Sequence, residues 1–592
     1  MRMASHILRT PLGLLLAWGA ASAQTTQINI SQDLVTLGIA TTNATPNNAR
    51  LDSRPLLQAA IQYASDNRIG RVTADPGGYW FLTAQKSDRY LVLDHVSDLI
   101  IDLQGSEIYL KSNFMIGFNL VSCQRVTLAN FSIDYEQLPY TQVRLTGASG
   151  RALSYDTISG WPSPTALRAK FGGNEYWGIV FRGGTVPANT NRLPLAKPTD
   201  TGVLQVNADG SPWTQPGVLN TYQPGDILVV TLKDGGAAVL VERGDTVVLS
   251  GLDIYASGTL GVHLDSTWNS AVFRVRVMPR PGTDRLISTN ADGIHLSYVQ
   301  ANNRVQYCYV SRTMDDAITL NSPFLAFVDR AVGARGLSVV RNFQARVPNG
   351  TSLAFINPNT GETLGPLQLV GQSPPFEASP TFNSNATYTF DGNLPAVQTG
   401  FGVVFADPTN RGAGSLVENN LVEDVVFARG IFLGGVSGVT VQKNTIRRTD
   451  CGGIVLHHDL SGYPTAANQD ILVNANTVDA AIGPAAVGTG AIAALGSIFV
   501  LSTDASFVEL KNPTATNISI TNNYISNSGR TAIWAGNIDG GSIQGNTFAG
   551  FSLYPQLAIW GVTQAFATQL VQDFTQPVVV RSSRNVSVQR NQ

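Results

Sequence analysis

The chain has 592 residues, of which 14% are charged and 43% hydrophobic, with 57 glycines; about 25% charged and about 7% glycine are the usual proportions. This composition excludes a coiled coil, a long-helix protein and a charge-rich disordered chain. Lysine plus arginine (39) nearly balance aspartate plus glutamate (41), so no basic field exists to hold a phosphate backbone and nucleic acid is disfavoured as a partner.

Arg2 and Arg9 flank the start of an apolar run, Leu12 to Trp18, and Ala21-Ser22-Ala23 comes next as a small-residue cleavage signal. The pattern predicts a signal peptide over 1–23, cleaved before Gln24, and an exported, secreted or periplasmic chain. The longest later apolar run, Ala491 to Leu501, falls short of the roughly 20 residues a membrane span needs. Cys123, Cys308 and Cys451 are few, odd in number and far apart, which argues against a disulfide framework or a Cys-x-x-Cys metal site.

Residues Asp52 to Ala64 have helical spacing and a plausible start, predicting a short helix that caps the open end of a stack of coils. The cap and the first coils are assigned to 24–136. Beyond them the dominant feature is an internal repeat. Gly261-Val262-His263-Leu264, Gly293-Ile294-His295-Leu296, Ala317-Ile318-Thr319-Leu320, Gly430-Ile431-Phe432-Leu433 and Gly453-Ile454-Val455-Leu456 fall in one register. Upstream lie two more apolar columns, Ile254, Val277, Val310 and Ile446, and Leu249, Val272, Val305 and Val441. The spacings Ile254 to Val277, Gly430 to Gly453 and Ile525 to Phe548 are each 23 residues.

A period in the low twenties, built from short alternating segments and Gly/Asn turns, marks a solenoid whose repeats share a core. Leucine-rich repeats need helices and a leucine consensus that are missing here. The fold class predicted is therefore all-β, a right-handed parallel β-helix, with like residues stacked about 4.8 Å apart. Asn444, Asn476, Asn523 and Asn546 recur at the turns, where asparagine satisfies backbone groups and tolerates the left-handed region. Two stretches, 137–243 and 322–414, lose the period and are read as inserted β modules; coils carrying the acids occupy 244–321, and the C-terminal coils 415–592.

The chemistry is concentrated in three carboxylates. Asp292 precedes the small residue of its coil, and Asp316 occupies the same column one coil later. Stacked carboxylates repel and titrate together, so stability alone gives no reason to place them there. Asp315 adds a third acid. Such a group can hold a water on one side and offer a proton on the other, as breaking a glycosidic bond requires. His263 and His295 share a column out of phase with the inward Ile-x-Leu side chains, either beside the acids in a cleft or in a solvent-facing stack. Arg429 falls in the column of Asp292 and Asp316, where it either grips a sugar hydroxyl or pairs with a carboxylate. His457 and His458, at the end of a later coil, are weaker substrate-binding candidates. Neither a metal nor a cofactor is needed for this chemistry.

The sequences N-A-D-G-I-H-L (290–296) and M-D-D-A-I-T-L (314–320) resemble the active-site region of β-helical glycoside hydrolases, closest to the α-galactosidases of glycoside hydrolase family 110 and more distantly the polygalacturonases. Asp134-Tyr135 with Leu138-Pro139, Pro281 to Ser288, and Ala428-Arg429-Gly430-Ile431 are similar to family 110 as well. The polygalacturonase Gly-His-Gly and Arg-x-Lys motifs are missing. Family 110 members usually follow D-D-A-I with an Asn and a His, whereas Thr319-Leu320-Asn321 stands here.

The resemblance implies an inverting hydrolase that removes a terminal α-linked galactose or related sugar from an oligo- or polysaccharide. It also implies Asp315 as general acid, with Asp292 and Asp316 holding and deprotonating the water. Two rivals stay open: a β-helical polysaccharide lyase or pectin-type hydrolase, and a non-catalytic glycan-binding adhesion β-helix. Homo-oligomerisation is also left open.

Overall fold

The computed structural model describes residues 27–592 apart from 87, 168–175, 184–185, 209–213, 233–234, 343–346, 376–383, 427, 462–463, 483–494, 507 and 555–570. The expected signal peptide, 1–23, lies outside the described residues. Each coil contributes short strands that pair in parallel with their equivalents one coil on, and one of the resulting sheets has 11 strands. In that sheet Val262, Ile294, Ile318, Ile431 and Ile454 pair in succession, the register predicted from the repeat. The columns through Ile254, Val277, Val310 and Ile446 and through Leu249, Val272, Val305 and Val441 are likewise stacked, with Val422 and Val417 filling the coil between.

All of these side chains are buried in one continuous core. A one-residue slip in any strand would turn its apolar set outward, so burial itself fixes the register. The fold is a right-handed parallel β-helix.

The predicted helix is found at Arg54–Asp66. Leu57, Ala60, Ile61 and Ala64 recur on one face and are buried against the first coils. The Asp52 carboxylate accepts from the Arg54 backbone N–H at the helix start and from Leu82 N–H in the neighbouring coil.

The turn asparagines play a narrower part than expected. Asn444, Asn476, Asn523 and Asn546 are not left-handed; among the described residues, Lys443, Ala475, Asn522 and Gly545 just before them have positive φ. The asparagines instead form a buried ladder. Asn444 Oδ1 accepts from Asn420 N (3.0 Å) and Nδ2 (2.9 Å), and Asn476 Oδ1 accepts from Asn444 N and Nδ2, both at 2.9 Å. Asn523 and Asn546 repeat the pattern. Each amide thus satisfies a backbone N–H and a side chain of the neighbouring coil, where an unpaired buried group would be costly.

Six strands between Tyr140 and Leu232 form an antiparallel sheet, and six between Ala326 and Phe405 close into a barrel. Each has its own apolar core. The solenoid resumes at Val239–Glu242, which pairs with Ile116–Val121 on one side and Val262–Asp265 on the other. The first module grips the segment leading to Asp292: Tyr140 Oη donates to Ile287 O (2.8 Å), Gln142 Oε1 accepts from Leu286 N (2.8 Å), and Asn290 Nδ2 donates to Pro139 O (2.9 Å) and Leu232 O (2.8 Å). The barrel leaves the solenoid after the strand Ile318–Asn321, and Tyr298 packs into its core.

Candidate active site

In the 11-stranded sheet the residues between the inward Ile-x-Leu side chains face outward, and the outward columns build a cleft. One step along the strand, His263, His295, Thr319 and Phe432 stack; two steps further, Asp265, Ser297, Asn321 and Gly434 stack. Just before the strands, Gly293 N donates to Asp316 O and Ala317 N to Arg429 O, which puts Asp292, Asp316 and Arg429 in consecutive coils of one column. These columns line a cleft of about 710 Å³ that also reaches Thr259, Leu260, Tyr298, Asp315 and Asp459.

Asp292, Asp315, Asp316, His263, His295 and Arg429 are therefore brought together. His457 and His458 are not: neither lines the cleft, and both are buried, with His457 Nε2 3.0 Å from Thr503 Oγ1 and His458 Nδ1 3.1 Å from Thr514 Oγ1. Their strand pairs in register with Gly496–Thr503, where both rings are buried, and Asp459 at its end is the residue that reaches the cleft. Burial pulls the His457 pKa down to about 4 and that of His458 to about 3, which keeps both neutral.

The acids are held by specific donors. Arg429 meets Asp316 through Nε on Oδ1 and Nη2 on Oδ2, both at 2.7 Å, and its backbone N–H adds a third bond to Oδ1 at 3.0 Å. Its guanidinium carbon lies 3.9 Å from the Phe432 ring centroid, so the ring supports the cation from the other side. Asp292 Oδ2 takes bonds of 2.7 Å from Thr319 Oγ1 and from His295 Nδ1. Thr319 Oγ1 is also 3.4 Å from Asp316 Oδ2, which makes this hydroxyl the bridge between the stacked carboxylates. His295 Nε2 is 3.2 Å from Asn321 Nδ2. His263 sits edge-on to His295, ring centroids 5.4 Å apart, with Nε2 2.7 Å from Ser297 Oγ.

Electrostatics separates these groups. Burial raises the Asp316 pKa to about 6, with Arg429 opposing and Asp315 and Asp292 adding to the rise. Burial works against a charge on His295, yet the charge and hydrogen bond of Asp292 outweigh it and hold its pKa above the ordinary histidine value. Burial and the neighbouring His295 bring His263 down to about 3. Burial also lifts Asp265 to about 6. A carboxylate pair with one member titrating near neutrality, beside a neutral and a charge-prone imidazole, is an arrangement suited to moving protons. Among the described residues, no group of three or more His, Cys, Asp or Glu side chains is placed to hold a metal ion.

Thr319, Phe432, Asp265 and Ser297 went unnamed as candidates in the sequence, although the register was available. Thr319 and Phe432 continue the column of His263 and His295, and Asp265 and Ser297 lie two residues further along the same strands.

No family model matches the chain. It is 20% identical over 482 residues to α-1,3-galactosidase B of Bacteroides thetaiotaomicron, covering 72% of this chain and 73% of that one. It is 20% identical over 497 residues to α-1,3-galactosidase A of Bacteroides fragilis, covering 79% and 76%. Among solved structures, the A-module of a mannuronan C-5 epimerase from Azotobacter vinelandii superposes with a TM-score of 0.43 at 12% identity, over 92% of this chain and 97% of that one. By sequence the chain is thus similar, at low identity, to proteins named α-1,3-galactosidases, in keeping with the resemblance of its D-G-I-H and D-D-A-I motifs to α-galactosidases.

Proposed function

We propose that this chain is an exported glycoside hydrolase that releases terminal α-1,3-linked galactose from an oligo- or polysaccharide by a single inverting displacement. The observation that carries the reading is the outward column of Asp292 and Asp316, each supplied with hydrogen-bond donors and sharing the Thr319 hydroxyl, with Asp315 lining the same cleft. The relatives' activity supports the choice of sugar and linkage, and the Arg2 to Ala23 segment supports export.

In this reading Asp315 gives its proton to the glycosidic oxygen as the C–O bond breaks. A water held by Asp292 and Asp316 loses a proton to that pair and adds to the anomeric carbon from the opposite face. Arg429 holds Asp316 in place and opposes its protonation, and Thr319 and His295 hold Asp292 in place. Fixing reacting groups beforehand removes much of the entropic part of the barrier. His263, Asp265 and Phe432 give the cleft an aromatic and polar lining against which sugar hydroxyls are oriented. The reading is tested with aryl and disaccharide α-galactosides: turnover of α-1,3-galactobiose that Asp315→Asn lowers by roughly 10²-fold or more supports it, and binding without turnover by the unaltered protein favours the adhesin.

A further inference from the structure

A second cleft, of about 800 Å³, opens on the seam between the solenoid and the first inserted module, apart from the acids. Tyr135 and Gln137 line it from the solenoid, Trp161 and Leu167 from the module, and Asp284 and Arg285 from the segment that runs on to Asp292. Its volume falls within the roughly 300–1,000 Å³ of small-molecule sites and leaves room for more than one pyranose ring.

Trp161 is half-buried and held at its edge, its Nε1 donating to Asp284 Oδ2 at 2.9 Å, with the Tyr140 ring 5.8 Å away. Asp284 is exposed, and the Arg285 guanidinium is anchored at one end by Asp134 Oδ1 (2.8 Å). A fixed indole beside an acceptor and a fork of donors matches a pyranose, which offers an apolar C–H face for stacking and vicinal hydroxyls for paired hydrogen bonds. Charge narrows the choice. Glu136 and Asp284 are exposed carboxylates on the rim, and among the described residues the one lining guanidinium, that of Arg285, is already paired with a carboxylate. The cleft therefore repels anionic sugars and suits neutral ones.

We propose that this cleft is a secondary glycan-binding site for a neutral, galactose-containing segment, stacked on Trp161 with Asp284 and Arg285 engaging its hydroxyls. The hydrolase reading enters only in the choice of sugar. The test uses the full chain carrying Asp315→Asn, so that α-1,3-galactobiose is not consumed, and follows binding by saturation-transfer NMR and tryptophan fluorescence. Two sites are expected. Adding Trp161→Ala should weaken one at least tenfold and leave the other; adding Asp284→Ala, at an exposed position, should do the same and decides the matter if the tryptophan variant does not fold. A sulfated galacto-oligosaccharide should bind this cleft at least tenfold more weakly than the neutral probe. Binding that neither substitution weakens, whether at one site or two, or preference for the sulfated probe would overturn the proposal. A Trp161-dependent site that persists when the acid cleft binds no galactobiose would sustain it and defeat the substrate assignment instead.

Discussion

Asp316 and Arg429 are 113 residues apart in the chain, yet they occupy adjacent coils of one column and meet through paired N–H bonds of 2.7 Å. The whole barrel module is spliced between them. Because the solenoid resumes in register after the insertion, the arginine lands above the carboxylate as if nothing intervened. The pair is also buried on the Asp316 side, with 4% of that side chain exposed against 26% for Arg429, so removing one partner leaves an uncompensated acid.

Arg429→Met should therefore cost about 3 kcal/mol of stability at neutral pH, as expected when a largely buried charge loses its partner. It should also move the Asp316 pKa further up, since the guanidinium is what opposes burial there. Thermal unfolding measured at pH 5 and pH 8 checks both effects: the variant should lose more at pH 8, where the unpaired acid has to be charged.

The pH dependence of the unaltered protein rests on the same group. Asp316 has a folded-state pKa raised to about 6, so between its ordinary value and 6 the folded chain binds more protons than the unfolded one, and this group's contribution to stability falls as pH rises through that window. Activity should move the other way. If Asp316 must be a carboxylate to hold and deprotonate water, kcat/KM rises with pH along a limb with an apparent pKa near 6. A profile flat from pH 4 to 8 would contradict the assignment.

Much of this was legible in the sequence. The Ile-x-Leu register identified the stacked columns, and with them the alignment of Asp292 with Asp316 and of His263 with His295, because one face of every strand has to be buried and the side-chain period is two. What escaped depends on reach rather than register. Thr319 touches both acids only because a short β-branched hydroxyl one coil above His295 is the right length to span them, and no pattern of apolar residues reports that. His457 and His458 end a strand of the same sheet, Ile454–Asp459, but both are buried and only Asp459 of that strand end lines the cleft. The sequence puts the asparagines at the turns, but their ladder between coils is not legible there, and the left-handed residue precedes each asparagine.

Thr319→Val keeps the shape and removes the hydroxyl shared by Asp292 and Asp316. A loss of about 1–2 kcal/mol in transition-state stabilisation, roughly tenfold or more in kcat, is expected for one hydrogen bond to a charged group, with KM little changed. The pH profile should shift as well, because the bridge between the two acids is gone. Steady-state kinetics on an aryl α-galactoside reads both quantities.

The asparagine ladder makes a prediction independent of catalysis. Asn476→Ala removes the acceptor of Asn444 N–H and Nδ2 and the donor to Asn523, leaving buried polar groups unpaired at about 1–3 kcal/mol each. Chemical denaturation should show a loss of a few kcal/mol with catalytic constants of the surviving folded protein unchanged. The same substitution at exposed Asn359 should have little effect.

Asp315→Asn tests the acid role. Proton donation to the leaving oxygen typically accounts for roughly 10²–10⁴-fold in rate, so turnover of α-1,3-galactobiose should fall by that order. An aryl α-galactoside with an acidic phenol, whose leaving group needs little help, should lose far less. Equal losses on both substrates would remove Asp315 from the acid role.

The central claim, that stacked acids in one cleft direct a water to the far face of the sugar, is tested most directly by the anomer of the first product. Proton NMR of the earliest turnover of an α-galactoside should show β-galactose appearing first and mutarotating to the equilibrium mixture afterwards. α-Galactose appearing first would mean retention through a covalent intermediate and would contradict the account.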